Sequence, residues 1–371
     1  MSDPTLTALR ALAEDVGERA VPPPFDEVTA RARRRRRTRA ALVAAAAVLV
    51  LGVAGAALWP GAPDPSPSPA PPASTESLPA AVSELVGHAS AAPFQMVGGL
   101  DGSLAVIWRD LVHPEPTFAL VVQDSDGSVS GRLLDEPLDL TAVPGGWVGS
   151  RDGQRASFVR PDGTVADLPV ESMQARPGAG DWAVQLSGPS LLWQSRTGLL
   201  VHPALDRATT QFLVTDPGRV VTYDPGSTLL ETTKGSEVVL PEGTRAVILA
   251  AYGGDIAAAA LGDAPDGSIP TLELVVSHDL GDTWQRATGI RSAGTTSMVV
   301  TPAGTTLTTD DHGGYTRVDK SGHGVVTETP SLSTLTLAGD RIAALEYDDG
   351  PRLLWSDDDG RTFEPGTLPG R

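Results

Sequence analysis

The stretch SHDLGDTWQ, residues 277–285, returns near the end of the chain as SDDDGRTFE, residues 356–364. Ser277, Asp279, Gly281, Thr283 and Trp284 line up with Ser356, Asp358, Gly360, Thr362 and Phe363. Each copy follows a short apolar run, LELVV or RLLW. The frame has a physical content that needs no ligand. An Asp in a tight turn accepts hydrogen bonds from nearby backbone N–H groups, and Ser or Thr adds a second local bond. Gly supplies a positive φ where other residues strain. The aromatic folds back over the hairpin base and buries on the order of 150–250 Å². The pattern therefore predicts a hairpin staple rather than a catalytic or metal site.

Working outward, the same frame fits Thr222, Asp224 and Gly226 in VVTYDPGSTL with an aliphatic in the last slot. It fits Thr309, Asp311 and Gly313 without the aromatic, and fades at Asp126, Asp152 and Ser195. First positions at 123, 150, 195, 222, 277, 309 and 356 are spaced unevenly, about 40 residues apart on average. Between them, short runs such as LAVIWR, TFALVVQ, AVILAAY and RIAALEY alternate with Gly, Asp and Pro turns. Many short strands with closely spaced turn signals point to an all-β fold, and the repeat points to four-stranded blades. Residues 90–371 then hold a β-propeller of six or seven blades, seven being favoured.

The spacing Ser-x-Asp-x-Gly-x-Thr-aromatic resembles the Asp-box, or BNR repeat, of sialidase-like β-propellers. That resemblance implies a box at the blade periphery, away from any catalytic face. It also raises a glycoside hydrolase as an alternative. Sialidases resemble one another in an Arg-Ile-Pro strand at the start of the propeller, three Arg that clamp the substrate carboxylate, an Asp acid and a Tyr–Glu pair. The corresponding region here reads AAPFQMVGGL, residues 91–100, with no Arg. Arg109, Arg160, Arg219 and Arg352 lack the family context, and Glu346 and Tyr347, as strand neighbours, point to opposite faces. No catalytic residue is assigned.

No cofactor or metal is assigned either. The chain has no Cys, and its six His show no paired spacing. DDDG at 357–360 and DSDG at 124–127 do not complete a calcium loop.

Composition divides the chain. Residues 1–59 hold nine Arg against six acids, whereas the whole chain has a net charge of −18. An acidic body of that kind disfavours nucleic acid as a partner. ARARRRRRTR, residues 30–39, runs into twenty uncharged residues, 40–59, long enough as a helix to cross a hydrocarbon core of roughly 30 Å. Basic residues stay cytoplasmic, so residues 1–39 read as a cytoplasmic tail and all that follows as extracytoplasmic. Arg33–Arg37 would meet anionic headgroups. Seven Pro in residues 60–72 make a stiff stalk, assigned to 60–80. The expectation is a single-pass membrane protein whose propeller binds or scaffolds a protein or glycan at the cell surface. A transmembrane sensor coupled to a cytoplasmic partner is the other alternative.

Overall fold

The computed structural model describes residues 78–371 except 111–116, 151–154, 185–189, 206–210, 216–218, 225–227, 234–235, 264–268 and 349. The expected tail, membrane helix and most of the stalk, Arg33–Arg37 included, lie outside these residues. Among the described residues no helix is long and apolar enough to cross a membrane.

Among the described residues twenty-eight strands form seven four-stranded sheets, which settles the blade count at seven. In chain order the blades span residues 91–134, 139–168, 170–203, 211–239, 244–286, 295–327 and 332–366. Six blades are antiparallel meanders, each strand pairing with the next in sequence. The middle strands read as unbroken apolar runs. Leu104–Trp108 and Phe118–Val122 are buried residue after residue, because a strand covered on both faces needs no polar alternation. In blade 5, Ala257–Ala260 are all 0 % exposed, small side chains that let neighbouring sheets approach.

Blade 3 departs from the meander. Its outer strand is Val170–Ala175, which precedes the other three in sequence and pairs parallel with Leu199–Pro203. The segment connecting blades 2 and 3 thus fills a place that the following segment fills elsewhere.

The innermost strands of adjacent blades meet through side chains. Gln95 Nε2 donates to Leu140 O (3.3 Å) and the Leu140 amide to Gln95 Oε1 (2.9 Å), joining blades 1 and 2. Ser297 donates to Leu335 O and accepts from the Leu335 amide, both at 3.0 Å, joining blades 6 and 7. The Gly98 amide donates to Thr336 Oγ1 (2.8 Å) and the Gly339 amide to Gly99 O (2.8 Å), closing blade 7 on blade 1. Gly98 is required there, since a Cβ would stand 2.0 Å from Leu337 O.

A helix, α1 (Ala80–Gly87), that the sequence reading did not anticipate buries Val82, Leu85 and Val86 against blade 1. The C-terminal residues lock onto it. Arg371 donates to Val86 O (3.2 Å) and Ala91 O (2.8 Å) and lies 4.7 Å from the Trp108 ring centroid. Trp108 Nε1 donates to Pro369 O at 3.1 Å. Arg371→Ala should therefore destabilise the ring by about 1–2 kcal/mol, a melting shift of a few degrees. Arg132→Ala, on the exposed outer strand of blade 1, is the control. Equal melting of the two variants would refute the clasp.

Candidate functional site

The turns at Ser277 and Ser356 sit alike, each leaving the third strand of its blade and entering the fourth, in blades 5 and 7. Ser277 Oγ accepts from the Gly281 amide (2.8 Å) and donates to Asp279 Oδ1 (2.9 Å). Asp279 also accepts from the Thr283 amide (2.8 Å) and hydroxyl (2.7 Å). The Ser356 turn repeats this: Gly360 amide to Ser356 Oγ 2.9 Å, Ser356 Oγ to Asp358 2.9 Å, Thr362 amide and hydroxyl to Asp358 2.9 and 2.7 Å. Leu280 and Gly281 have φ of 62° and 79°, Asp359 and Gly360 58° and 72°. Two successive left-handed residues make the turn tight, and only the second is glycine.

The glycines explain themselves against the neighbouring blade. A Cβ on Gly281 would lie 2.3 Å from Thr232 Cγ2 in blade 4, and one on Gly360 2.0 Å from Leu307 Cδ2 in blade 6. Phe363 meets Tyr315 of blade 6 edge-on at 5.5 Å. Arg219 of blade 4 holds the Ser277 turn, donating to both Asp282 oxygens (2.6 and 3.0 Å) and to Leu280 O (3.0 Å). Trp284 lies close to its own turn, its Cζ2 3.5 Å from where a Cβ on Gly281 would stand. Each turn also wedges against the preceding blade.

Burial opposes ionisation of Asp279 and Asp358, but their combined Thr and Ser hydrogen bonds outweigh it and hold both below the ordinary carboxylate value.

The third matched turn sits elsewhere. Thr222 and Asp224 end the second strand of blade 4 (Arg219–Asp224), and Gly226 lies outside the described residues. That turn joins second and third strands, as do those at Ser195 and Thr309. The uneven spacing in sequence thus came from two different hairpins of the blade. At Thr309 the acceptor is Asp310, not Asp311: its Oδ1 takes the His312 and Gly314 amides, both at 2.9 Å. Asp162 and Asp319, missed in sequence, close the third-to-fourth hairpins of blades 2 and 6 by accepting from Thr164 and Ser321 amides, both at 2.8 Å. The P-D-G-T run around Asp162 was the available signal. The acidic DSDG turn is spent likewise, Asp124 accepting from Ser125 (2.6 Å) and Asp126 from Ser128 (2.8 Å).

The residues weighed for hydrolysis do not converge. Arg109 lies over the Phe118 ring at 6.0 Å, Arg219 holds the Ser277 turn, and Arg352 faces Glu346 at 3.9 Å. Arg160 belongs to the hairpin of blade 2. Tyr347 OH donates to Pro93 O at 2.8 Å across the closing seam, and desolvation pushes it up to about 12. A His88–Ser90–Asp110 group exists, with Ser90 Oγ 2.6 Å from both His88 Nδ1 and Asp110 Oδ1. The serine stands between the other two, whereas a nucleophilic triad needs the histidine there.

The fold defines the chain as a seven-bladed β-propeller. No family model matches it, and no curated protein does. Among solved structures it is similar to BamB from Moraxella catarrhalis, at 15% identity and TM-score 0.42, over 72% of this chain and 84% of that one. It is also similar to PorZ, an essential surface component of the type-IX secretion system of Porphyromonas gingivalis, at 10% identity and TM-score 0.48. That match covers 76% of this chain and 39% of PorZ.

Two measurements check the wedge. Gly281→Ala should cost about 2–4 kcal/mol from the left-handed φ and the overlap with Thr232. Adding Thr232→Ser, which removes Cγ2 and keeps the hydroxyl, should recover about 1–2 kcal/mol in a double-mutant cycle. Strict additivity would show that the turn does not press on blade 4. The depressed carboxyls carry a sign: their stabilisation is complete above the unfolded value near 3.9 and is lost as pH falls through the lower folded value. Below about pH 4 wild-type melting temperature should thus drop more steeply than that of Asp279→Asn/Asp358→Asn. Parallel profiles would contradict it.

Proposed function

We propose that the chain is a membrane-anchored, extracytoplasmic binding or scaffold module, with a propeller of the Asp-box kind held off the bilayer by a stiff stalk. The observation that carries this reading is the order of segments: five consecutive Arg, twenty uncharged residues, then seven Pro in thirteen residues ahead of a closed ring. An Arg run against an apolar segment sets orientation, and a Pro-rich spacer gives reach of about 3.1 Å per residue. The chemistry of the ring supports binding over turnover. Its Asp-Gly turns spend their carboxylates on local hydrogen bonds, and the arginines weighed as a substrate clamp sit in four different blades. The partner is a protein or a glycan at the surface.

Protease added to intact cells should remove the propeller and leave an epitope tag in residues 1–39 protected. Crosslinking on the same cells should attach a surface partner to the ring. A propeller spared in intact cells and cut only after lysis would overturn the topology. Release of the ring as a soluble species cut near residue 59 would overturn the anchor.

A further inference from the structure

Between the outer half of blade 6 and the Ser356 turn of blade 7 lies an open cleft of about 410 Å³. Its floor is one face of two paired strands. Tyr315 and Arg317 on the third strand register with Thr327 and Val325 on the fourth, and all four line the cleft. Its wall is Gly360–Phe363. Two cations face this space, Arg317 and Arg361, and among the described residues neither guanidinium has a hydrogen-bond acceptor or a carboxylate within ion-pairing distance. The nearby acids are occupied: Asp357 by Arg341 (2.6 Å), Glu328 by Arg291, Asp358 by the Thr362 hydroxyl (2.7 Å). Asp359 and Glu364 are outside the lining.

A second observation points the same way. Tyr315 is 3 % exposed and lines the cleft, yet its hydroxyl has no partner among the described residues. An unengaged phenol beside two unpaired guanidinium groups is a set of donors without an acceptor. Carboxylates suit such a set, and Arg is the side chain that holds them with two parallel bonds. Val325, 52 % exposed, and the half-buried Phe363 add apolar surface alongside.

We propose that this cleft binds an acidic peptide segment of the partner protein, with glutamate or aspartate on Arg317 and Arg361 and an apolar side chain against Val325 and Phe363. The lining has no carboxylate or side-chain amide to accept sugar hydroxyls, which favours the peptide over a glycan. A chain of net charge −18 repels acidic peptides in general, so a peptide that binds does so at a local cationic site. The proposal takes its partner class from the binding-module reading and adds the site and its chemistry.

The test is fluorescence anisotropy of the labelled pentapeptide Glu-Glu-Leu-Glu-Glu with the full chain in a nonionic detergent. Binding should occur with a Kd below about 1 mM and weaken at least tenfold for the Gln-Gln-Leu-Gln-Gln peptide. R317Q/R361Q should weaken it at least tenfold, Arg361→Gln alone and Tyr315→Phe severalfold, and Arg132→Gln not at all. Melting curves accompany each variant, and Arg361, being exposed, can be changed without disturbing the fold. No binding, or equal binding by R317Q/R361Q and R132Q, would overturn the proposal. So would tighter binding of trigalacturonate, lost in the same variant, which would assign the cleft to an acidic sugar. Surface crosslinks mapping elsewhere on the ring would sink this cleft and leave the binding-module reading standing.

Discussion

A ring of blades leaves every innermost strand with a partner strand on one side only, and several polar side chains answer that constraint. A buried amide or carbonyl without a partner costs about 1–3 kcal/mol, and the splay between neighbouring sheets prevents the ladder from continuing across the junction. Side chains take its place. Gln95, Ser297 and Thr336 each engage the backbone of the next blade, and Thr271, at the start of the third strand of blade 5, does so toward blade 6, its Oγ1 accepting from the Thr295 amide at 2.9 Å. Short hydroxyl side chains reach a neighbouring strand without holding the blades apart.

The Asp-Gly turns serve the same junctions from the periphery. Their internal bonds make them rigid, and rigidity lets a glycine be pressed into the preceding blade, against Thr232 or Leu307. Local order in a nine-residue stretch is thereby converted into alignment between sheets. The closing seam has its own devices. Tyr347 bridges to Pro93, and the C-terminal Arg371 ties α1 to the first strand of blade 1.

Much of the architecture could be read in advance because local rules and the global fold agree. Apolar runs such as TFALVV mark strands covered on both faces, and SHDLGDTWQ and SDDDGRTFE mark equivalent hairpins. What failed was whatever depends on contact between segments distant in sequence. The frame at Thr222 matched by residue type yet sits in a different hairpin, since a tight Asp-Gly turn suits either bend of a meander. The role of Arg219 across the blade junction, the pairing of Tyr315 with Phe363, and the cleft they border belong to inter-blade geometry that no short pattern encodes. Helix α1 escaped notice because AAVSELVG is barely two turns long and draws its stability from docking.

Blade 3 has a consequence for time. Six outer strands are synthesised last in their blades and meet three strands already available. Val170–Ala175 is synthesised first, and its partner Leu199–Pro203 follows some two dozen residues later. At ordinary translation rates of about 5–20 residues per second, that strand waits about one to five seconds with its edge unpaired. Its composition suits the wait: VESMQA carries a charge and an amide and only one bulky β-branched residue, a poor template for misplaced pairing.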